Sequence, residues 1–239
     1  MEYLFPLRMK CEIAEGTMAF VFDTTGSGFA FKPGQHADYT LINPPETDEK
    51  GNTRTFSFAS APGRDYIMIA TRMRGSAFKN SLNAMPLGTK VKVGEPYGDM
   101  TLHKDAKKPA VFLAGGIGIT PFRCMIEWAA ANSLDRKIYL FYSNKTADES
   151  AFLADLVEFS KADPNFKLIA TATREEDPAW KHERGRIDEA MLKRHLGDDV
   201  QKSVYYVAGP PAMAEALTET LVKMGVDEDS IRKEEFAGY

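Results

Sequence analysis

Cysteine is almost missing from this chain. Only Cys11 and Cys124 occur in 239 residues, far apart and in no Cys-x-x-Cys spacing. That excludes a disulfide framework, a structural zinc and an iron–sulfur cluster held by the chain itself, and points to a reducing, cytoplasmic setting. A basic excess is also missing: 34 acidic residues stand against 30 basic ones, giving a net charge of −4 and no field for non-specific nucleic-acid binding. Long apolar runs are absent. The most apolar stretch, Ala110 to Phe122, is broken by Gly115, Gly116, Gly118 and Pro121, and Met1 to Pro6 carries no basic run, so neither a membrane span nor a signal peptide is expected. His36, His103, His182 and His195 show no ligand spacing, no Gly-x-Ser-x-Gly elbow occurs, and neither a metal site nor a hydrolase has support.

What is present falls into two halves. Up to about residue 103, short alternating runs such as Met9 to Ile13, Met18 to Phe22, Asp38 to Ile42, Tyr66 to Ala70 and Lys90 to Val93 are separated by Gly and Pro. Strands of a small antiparallel barrel need that pattern, with one short helix expected at Ser76 to Ala84. After the polar link His103 to Pro109 the period changes. Strands at Ala110 to Ala114, Lys137 to Ser143, Phe166 to Thr171 and Ser203 to Ala208 alternate with helices at Pro121 to Ala131, Asp148 to Ala162 and Pro211 to Met224. The fold expected is an antiparallel β barrel over 1–103 followed by a parallel α/β domain over 109–239. The helical stripe Met213, Ala216, Leu217, Leu221 and Met224 reads as core.

Gly115-Gly116-Ile117-Gly118-Ile119-Thr120-Pro121 lies between an apolar strand and a helix. Glycines admit a phosphate to the backbone and a helix N-terminus offers free amides; Thr120 is a candidate N-cap and Pro121 a first helical residue. A dinucleotide pyrophosphate is the natural guest, although Pro121 replaces the third glycine of the Rossmann Gly-x-Gly-x-x-Gly and no P-loop lysine follows. A second turn, Gly209-Pro210-Pro211-Ala212-Met213, also follows an apolar strand, which places two such turns at one sheet edge. In the first half, Arg54-Thr55-Phe56-Ser57-Phe58-Ala59-Ser60 carries a guanidinium fork for phosphate, aromatic faces and hydroxyls, a set a flavin could use.

Taken together and in order, Arg-x-Phe-Ser-x-Ala-Ser, Gly75-Ser76-Ala77-Phe78, Gly-Gly-x-Gly-x-Thr-Pro, Ala-Gly-Pro-Pro-x-Met and Glu234-Glu235-Phe236 resemble the ferredoxin–NADP reductase family over nearly the whole chain. The resemblance implies a flavin-binding barrel holding FAD, or FMN in some members, joined to a Rossmann-like NAD(P)-binding domain. Hydride would pass from NADPH or NADH to the flavin, then electrons to a separate carrier such as ferredoxin, flavodoxin or an oxygenase component. It further implies roles residue by residue. Arg54 is similar to the flavin-phosphate arginine, Phe56 to the aromatic on the isoalloxazine, and Ser57 to the hydroxyl beside flavin N5. Thr71 and Arg72 match flavin-lining positions, and Ser76, Ala77 and Phe78 the helix start on the flavin pyrophosphate. Gly116, Gly118, Thr120 and Pro121 resemble the nicotinamide-dinucleotide loop, and Gly209, Pro210 and Met213 the turn near the nicotinamide. Glu234 with Phe236 or Tyr239 resembles the C-terminal catalytic group.

The chain departs from the family in having Ala208 where a cysteine often stands, and in ending with Ala237-Gly238-Tyr239, which leaves open which aromatic meets the flavin. Ser143 and Asn144 end a strand without the acid that binds an NADH ribose, and Thr173-Arg174-Glu175 is similar to a Ser-Arg-Glu pattern that grips a 2′-phosphate, so NADPH is favoured. A reductase of small molecules (free flavin, quinone or ferric chelate) and a non-catalytic flavin-binding module stay open. Clustering of Arg72, Arg74, Lys79 and Lys32 at the flavin edge would favour a protein carrier.

Overall fold

The structure is a computed structural model and describes residues 2–235. Six strands come first: β1 (Tyr3–Ala14), β2 (Thr17–Asp23), β3 (His36–Leu41), β4 (Thr53–Ser57), β5 (Tyr66–Arg72) and, after helix α1 (Ala77–Ala84), β6 (Lys90–Val93). They form an antiparallel sheet in the order β4-β3-β6-β1-β2-β5. The Ala59 amide donates to the Met68 carbonyl at 2.7 Å, bringing the chain beyond β4 to β5 and curling the sheet into a barrel. Alternation does the sorting: Phe20, Phe22, Tyr39, Ile67, Ile69, Val91 and Val93 point inward and are buried. Burial of each such side chain contributes about 2 kcal/mol.

The second half is a parallel sheet flanked by helices, as its continuous apolar strands require. Its elements are β7 (Ala110–Gly115), α2 (Ile119–Ala131), β8 (Ile138–Asn144), α3 (Leu153–Ala162), β9 (Phe166–Ala172), the short β10 (Glu183–Arg184), α4 (Glu189–Leu196), β11 (Val204–Gly209), α5 (Pro211–Lys223) and β12 (Ile231–Glu235). The strand order β10-β9-β8-β7-β11-β12 reverses direction at β7, so β7 and β11 end side by side. Every residue of those two strands is buried.

Three local expectations change. A 3₁₀ turn at Gly116–Gly118 precedes α2, whose N-cap is Gly118. Thr120 is therefore inside the helix, its hydroxyl turned back to the Ile117 carbonyl at 3.1 Å, and Pro121 is the third helical residue rather than the first. The helix expected from Asp148 starts only at Leu153, because residues 148–152 turn and Phe152 takes φ 60°. In α5 the buried positions are Ala214, Leu217 and Leu221, while Met213 faces the glycine turn. The pair β10 and α4 carries no strong periodic signal.

The two halves share a core. Ala19, Val21, Met68 and Ala70 of the barrel pack in one cluster with Ile117, Phe122, Met125 and Ile126, and Cys124 of α2 packs among barrel residues. Gly34 is held at φ 94°, and a Cβ there would lie 2.0 Å from the Met100 carbonyl oxygen, so only glycine fits.

Candidate functional site

Two cavities lie along the carboxyl edge of the parallel sheet and the barrel mouth beside it. The larger, about 700 Å³, is lined by Lys50, Arg54, Phe56, Thr71, Ser76 and Lys79 among others. Arg54 reaches it from β4, and its guanidinium is held from one end. Nη1 donates to the carbonyls of Lys50, Gly51 and Thr53 at 2.8–2.9 Å, Nη2 donates to Asp48 at 2.6 Å, and the group lies 5.4 Å from the Phe78 ring centre. That hydrogen bond from Arg54 holds the Asp48 carboxyl below its ordinary pKa. Burial, then Arg74, Arg54 and Lys50, push the Lys79 ammonium below its ordinary value. Cations crowded so closely favour an anionic guest.

Ser76 caps α1 without a side-chain bond and lines the cavity rim, towards which the start of the helix is turned. Phe56 is buried between Tyr39 and Phe78, with ring centres 5.7 Å away in each case, and offers the cavity only part of its ring. Thr71 is buried at the cavity wall. Ser57 stands opposite His36 in the β3–β4 ladder, which puts both side chains on one face. On that face His36 Nδ1 lies 3.2 Å from a carboxylate oxygen of Glu234, and the other Glu234 oxygen is buried without a partner among the described residues. Phe236 and Tyr239 lie outside the described residues.

The smaller cavity, about 310 Å³, lies between the halves and includes Arg72, Gly116, Asn144, Lys145, Thr173 and Met213 in its wall. Its floor depends on missing side chains. A Cβ on Gly118 would lie 2.3 Å from the Ala208 carbonyl oxygen, and one on Gly115 2.3 Å from Met213 Sδ. The two glycine turns therefore press on each other and form one crevice. Pro210 and Met213 close its side, and Pro121 is buried behind the loop in α2. Asn144 is 6% exposed, yet among the described residues neither its amide nitrogen nor its oxygen has a partner within hydrogen-bond geometry. An orphaned amide in a cavity wall has its hydrogen-bonding capacity reserved for something that enters.

Thr173 and Arg174 zip onto the end of β8, their amides donating to the Asn144 and Lys145 carbonyls at 3.0 and 2.8 Å. Glu175 is turned away: its carboxylate accepts the Ala147 amide at 2.7 Å and the Asp177 amide at 2.9 Å, which lower its pKa. Ser143 and Thr173 also line an adjoining cavity of about 380 Å³ together with Arg186. Arg74 lines both of the first two cavities and so marks where they meet. Of the four cations considered for one edge, Arg72, Arg74 and Lys79 gather here and Lys32 lines neither cavity. Sequence reasoning missed Asp48, His36, Glu149 and Arg186. His36 had a signal, since the strand carrying it pairs with the Arg-Thr-Phe-Ser strand; the others sit in loops without period.

The oxidoreductase NAD-binding domain family matches residues 112–219. The reductase component of propane 2-monooxygenase from Rhodococcus jostii is 27% identical over 218 residues, covering 88% of this chain and 56% of that protein. A flavohemoprotein from Burkholderia sp. is 32% identical over 216 residues, covering 88% and 52%. A ferredoxin NADP+ reductase from Neisseria gonorrhoeae, solved with FAD and NADP, superposes with a TM-score of 0.81 at 19% identity, covering 98% of each chain. Residues 112–219 thus carry an oxidoreductase NAD-binding domain, and the chain shares the fold of that ferredoxin NADP+ reductase. It spans about half the length of the curated relatives it matches. Relative to the barrel and parallel sheet shared with that reductase, the 700 Å³ cavity lies in the barrel and the 310 Å³ cavity between the two halves.

Proposed function

We propose that this chain is an NAD(P)H-dependent flavoprotein reductase that takes hydride from NADPH, in preference to NADH, onto FAD and passes electrons to a separate acceptor. The acceptor is a protein such as ferredoxin, flavodoxin or an oxygenase component, as the relatives that are reductase components of oxygenases support. One observation carries the reading: two anion-seeking cavities, one in the barrel and one at the glycine loops, meet at Arg74. A flavin in the first supplies hydride acceptance and electron release, while the protein binds, orients and excludes water.

In this reading residues 1–103 form the flavin unit and 109–239 the nucleotide unit, in a cytoplasmic enzyme. Arg54 and the amides of Ala77 and Phe78 hold flavin phosphates, with Phe56 and Thr71 along the ring and Ser57 at its edge. Glu234 and His36 pair on the face of the sheet that carries Ser57. Gly116, Gly118, Asn144, Gly209 and Pro210 receive the dinucleotide; its orphaned acceptor and donor on Asn144 and the close glycine floor fit that group. Preference for NADPH rests on Thr173 and Arg186 in one cavity wall and on Arg174, next in the chain to a Glu175 whose carboxylate is already engaged.

The test is the visible spectrum of the purified protein after incubation with FAD, recorded anaerobically with NADPH or NADH. Flavin bands that bleach faster with NADPH support the reading. Faster bleaching by NADH overturns the coenzyme preference, and a protein that takes up no flavin overturns the function.

A further inference from the structure

Glu149 puts a carboxylate where the proposed ligand puts its phosphates. It belongs to the loop between β8 and α3, and its Oε2 lies 3.1 Å from Nη1 of Arg72 at the end of β5, so the ion pair joins the two halves. Both side chains are mostly enclosed, at 21% and 16% exposure. The opposite arm of the same guanidinium lies against the glycine loop: a Cβ on Gly116, at φ 54°, would be 3.4 Å from Arg72 Nη2. A phosphate resting on the Gly116 backbone therefore falls within reach of a guanidinium that Glu149 already holds.

The cavity is about 310 Å³, and the other cations in its wall are Arg74 and Lys145. The Glu149 loop is pinned rather than loose. The Asp148 carbonyl accepts the Glu15 amide from the β1–β2 turn at 2.8 Å, and Glu175 holds the Ala147 amide at 2.7 Å. A carboxylate fixed beside a doubly charged pyrophosphate in an enclosed space is strongly repelled.

We propose that Glu149 is a built-in competitor for Arg72, and that a dinucleotide pyrophosphate exchanges with it. Binding then frees the Glu149 side chain from Arg72, so that nucleotide occupancy loosens one of the ties between the halves. This rests on the reading of the cavity as the nicotinamide-dinucleotide site. Linkage fixes the sign: whatever Glu149 contributes to holding the halves together is subtracted from dinucleotide affinity.

Calorimetric titration of the flavin-loaded protein with NADP+, NAD+ and adenosine 2′-monophosphate tests it. Glu149→Gln keeps the shape and removes the charge; NADP+ and NAD+ are expected to bind about fivefold more tightly, while adenosine 2′-monophosphate, which has no 5′-phosphate, is unchanged. In an Arg72→Met background the same substitution is expected to give no gain. Amide exchange across residues 146–150 is expected to quicken when NADP+ binds the wild type. Unchanged or weaker dinucleotide binding by Glu149→Gln overturns the exchange, as does a gain that survives in Arg72→Met. Failure of the wild type to bind either dinucleotide overturns the reading of the cavity as well.

Discussion

Arg123 on α2 donates from Nη1 to the backbone carbonyl of Ala59 at 2.7 Å, so a buried guanidinium from the second half closes a hydrogen bond on the barrel. The same side chain pairs with Asp155 at 2.7 Å and with Glu127 at 3.2 Å. Glu127 in turn accepts the Ala61 amide at 2.8 Å and pairs with Arg64 at 2.7 Å. The crevice is thus positioned by a charged clamp behind it as well as by apolar packing. Arg123→Met leaves Glu127 and the Ala59 carbonyl buried and under-partnered, and is expected to lower stability by about 3 kcal/mol. Urea unfolding followed by far-ultraviolet circular dichroism measures this; a loss below 1 kcal/mol would show that the clamp adds little.

Gly118 meets the backbone of the second turn directly. Gly118→Ala drives a methyl group into the Ala208 backbone, where no flexible side chain can yield. The expected outcome is a loss of about 2 kcal/mol in stability together with weakened dinucleotide binding. Thermal unfolding with and without NADP+ reads both effects.

Asn144 makes the opposite prediction. Its amide has no partner to lose among the described residues, so Asn144→Leu is expected to leave the melting temperature within a few degrees. Dinucleotide binding should weaken by about tenfold, as for one lost hydrogen bond to a ligand. Equilibrium titration against NADP+ and NAD+ decides it.

The link between the halves carries a pH dependence. Burial, and then the nearby Arg136, push the pKa of His103 below the ordinary 6.5. The folded protein therefore holds this imidazole neutral at a pH where the unfolded chain protonates it. Its contribution is complete above about pH 6.5 and falls away as pH drops below that value towards the lowered pKa. Urea midpoints compared at pH 7.5 and 5.5 should fall, and His103→Gln should flatten that difference. The Tyr206 hydroxyl, which accepts the His103 amide at 2.7 Å and lies 2.9 Å from Nδ1, keeps the ring in place.

Arg54→Leu removes the guanidinium while leaving the Phe78 face intact. Flavin affinity is expected to drop at least tenfold, since a charge-assisted phosphate contact is lost. Quenching of flavin fluorescence on titration of the apoprotein measures it, and an unchanged affinity would show that α1 amides and Lys79 suffice.

Much of this molecule was legible along the chain because local physics acts along the chain. The switch from alternating to helical periodicity near residue 103, the glycines before α2 and the aromatic, hydroxylic strand around Arg54 are all statements about neighbouring residues, and they determine the barrel, the parallel sheet and the two glycine turns at its edge. Boundaries slipped where a turn had no periodic mark, as at residues 148–152, or where a 3₁₀ turn took over from the expected cap at Thr120. Only the tertiary structure decided which groups meet. Asp48 on Arg54, Glu149 on Arg72, Glu234 on His36 and Arg123 on Ala59 join residues whose encounter depends on sheet order and on how the halves dock. Side chains brought together by packing leave no period in the sequence, so the pairing of charges that tunes the site emerges only with the fold.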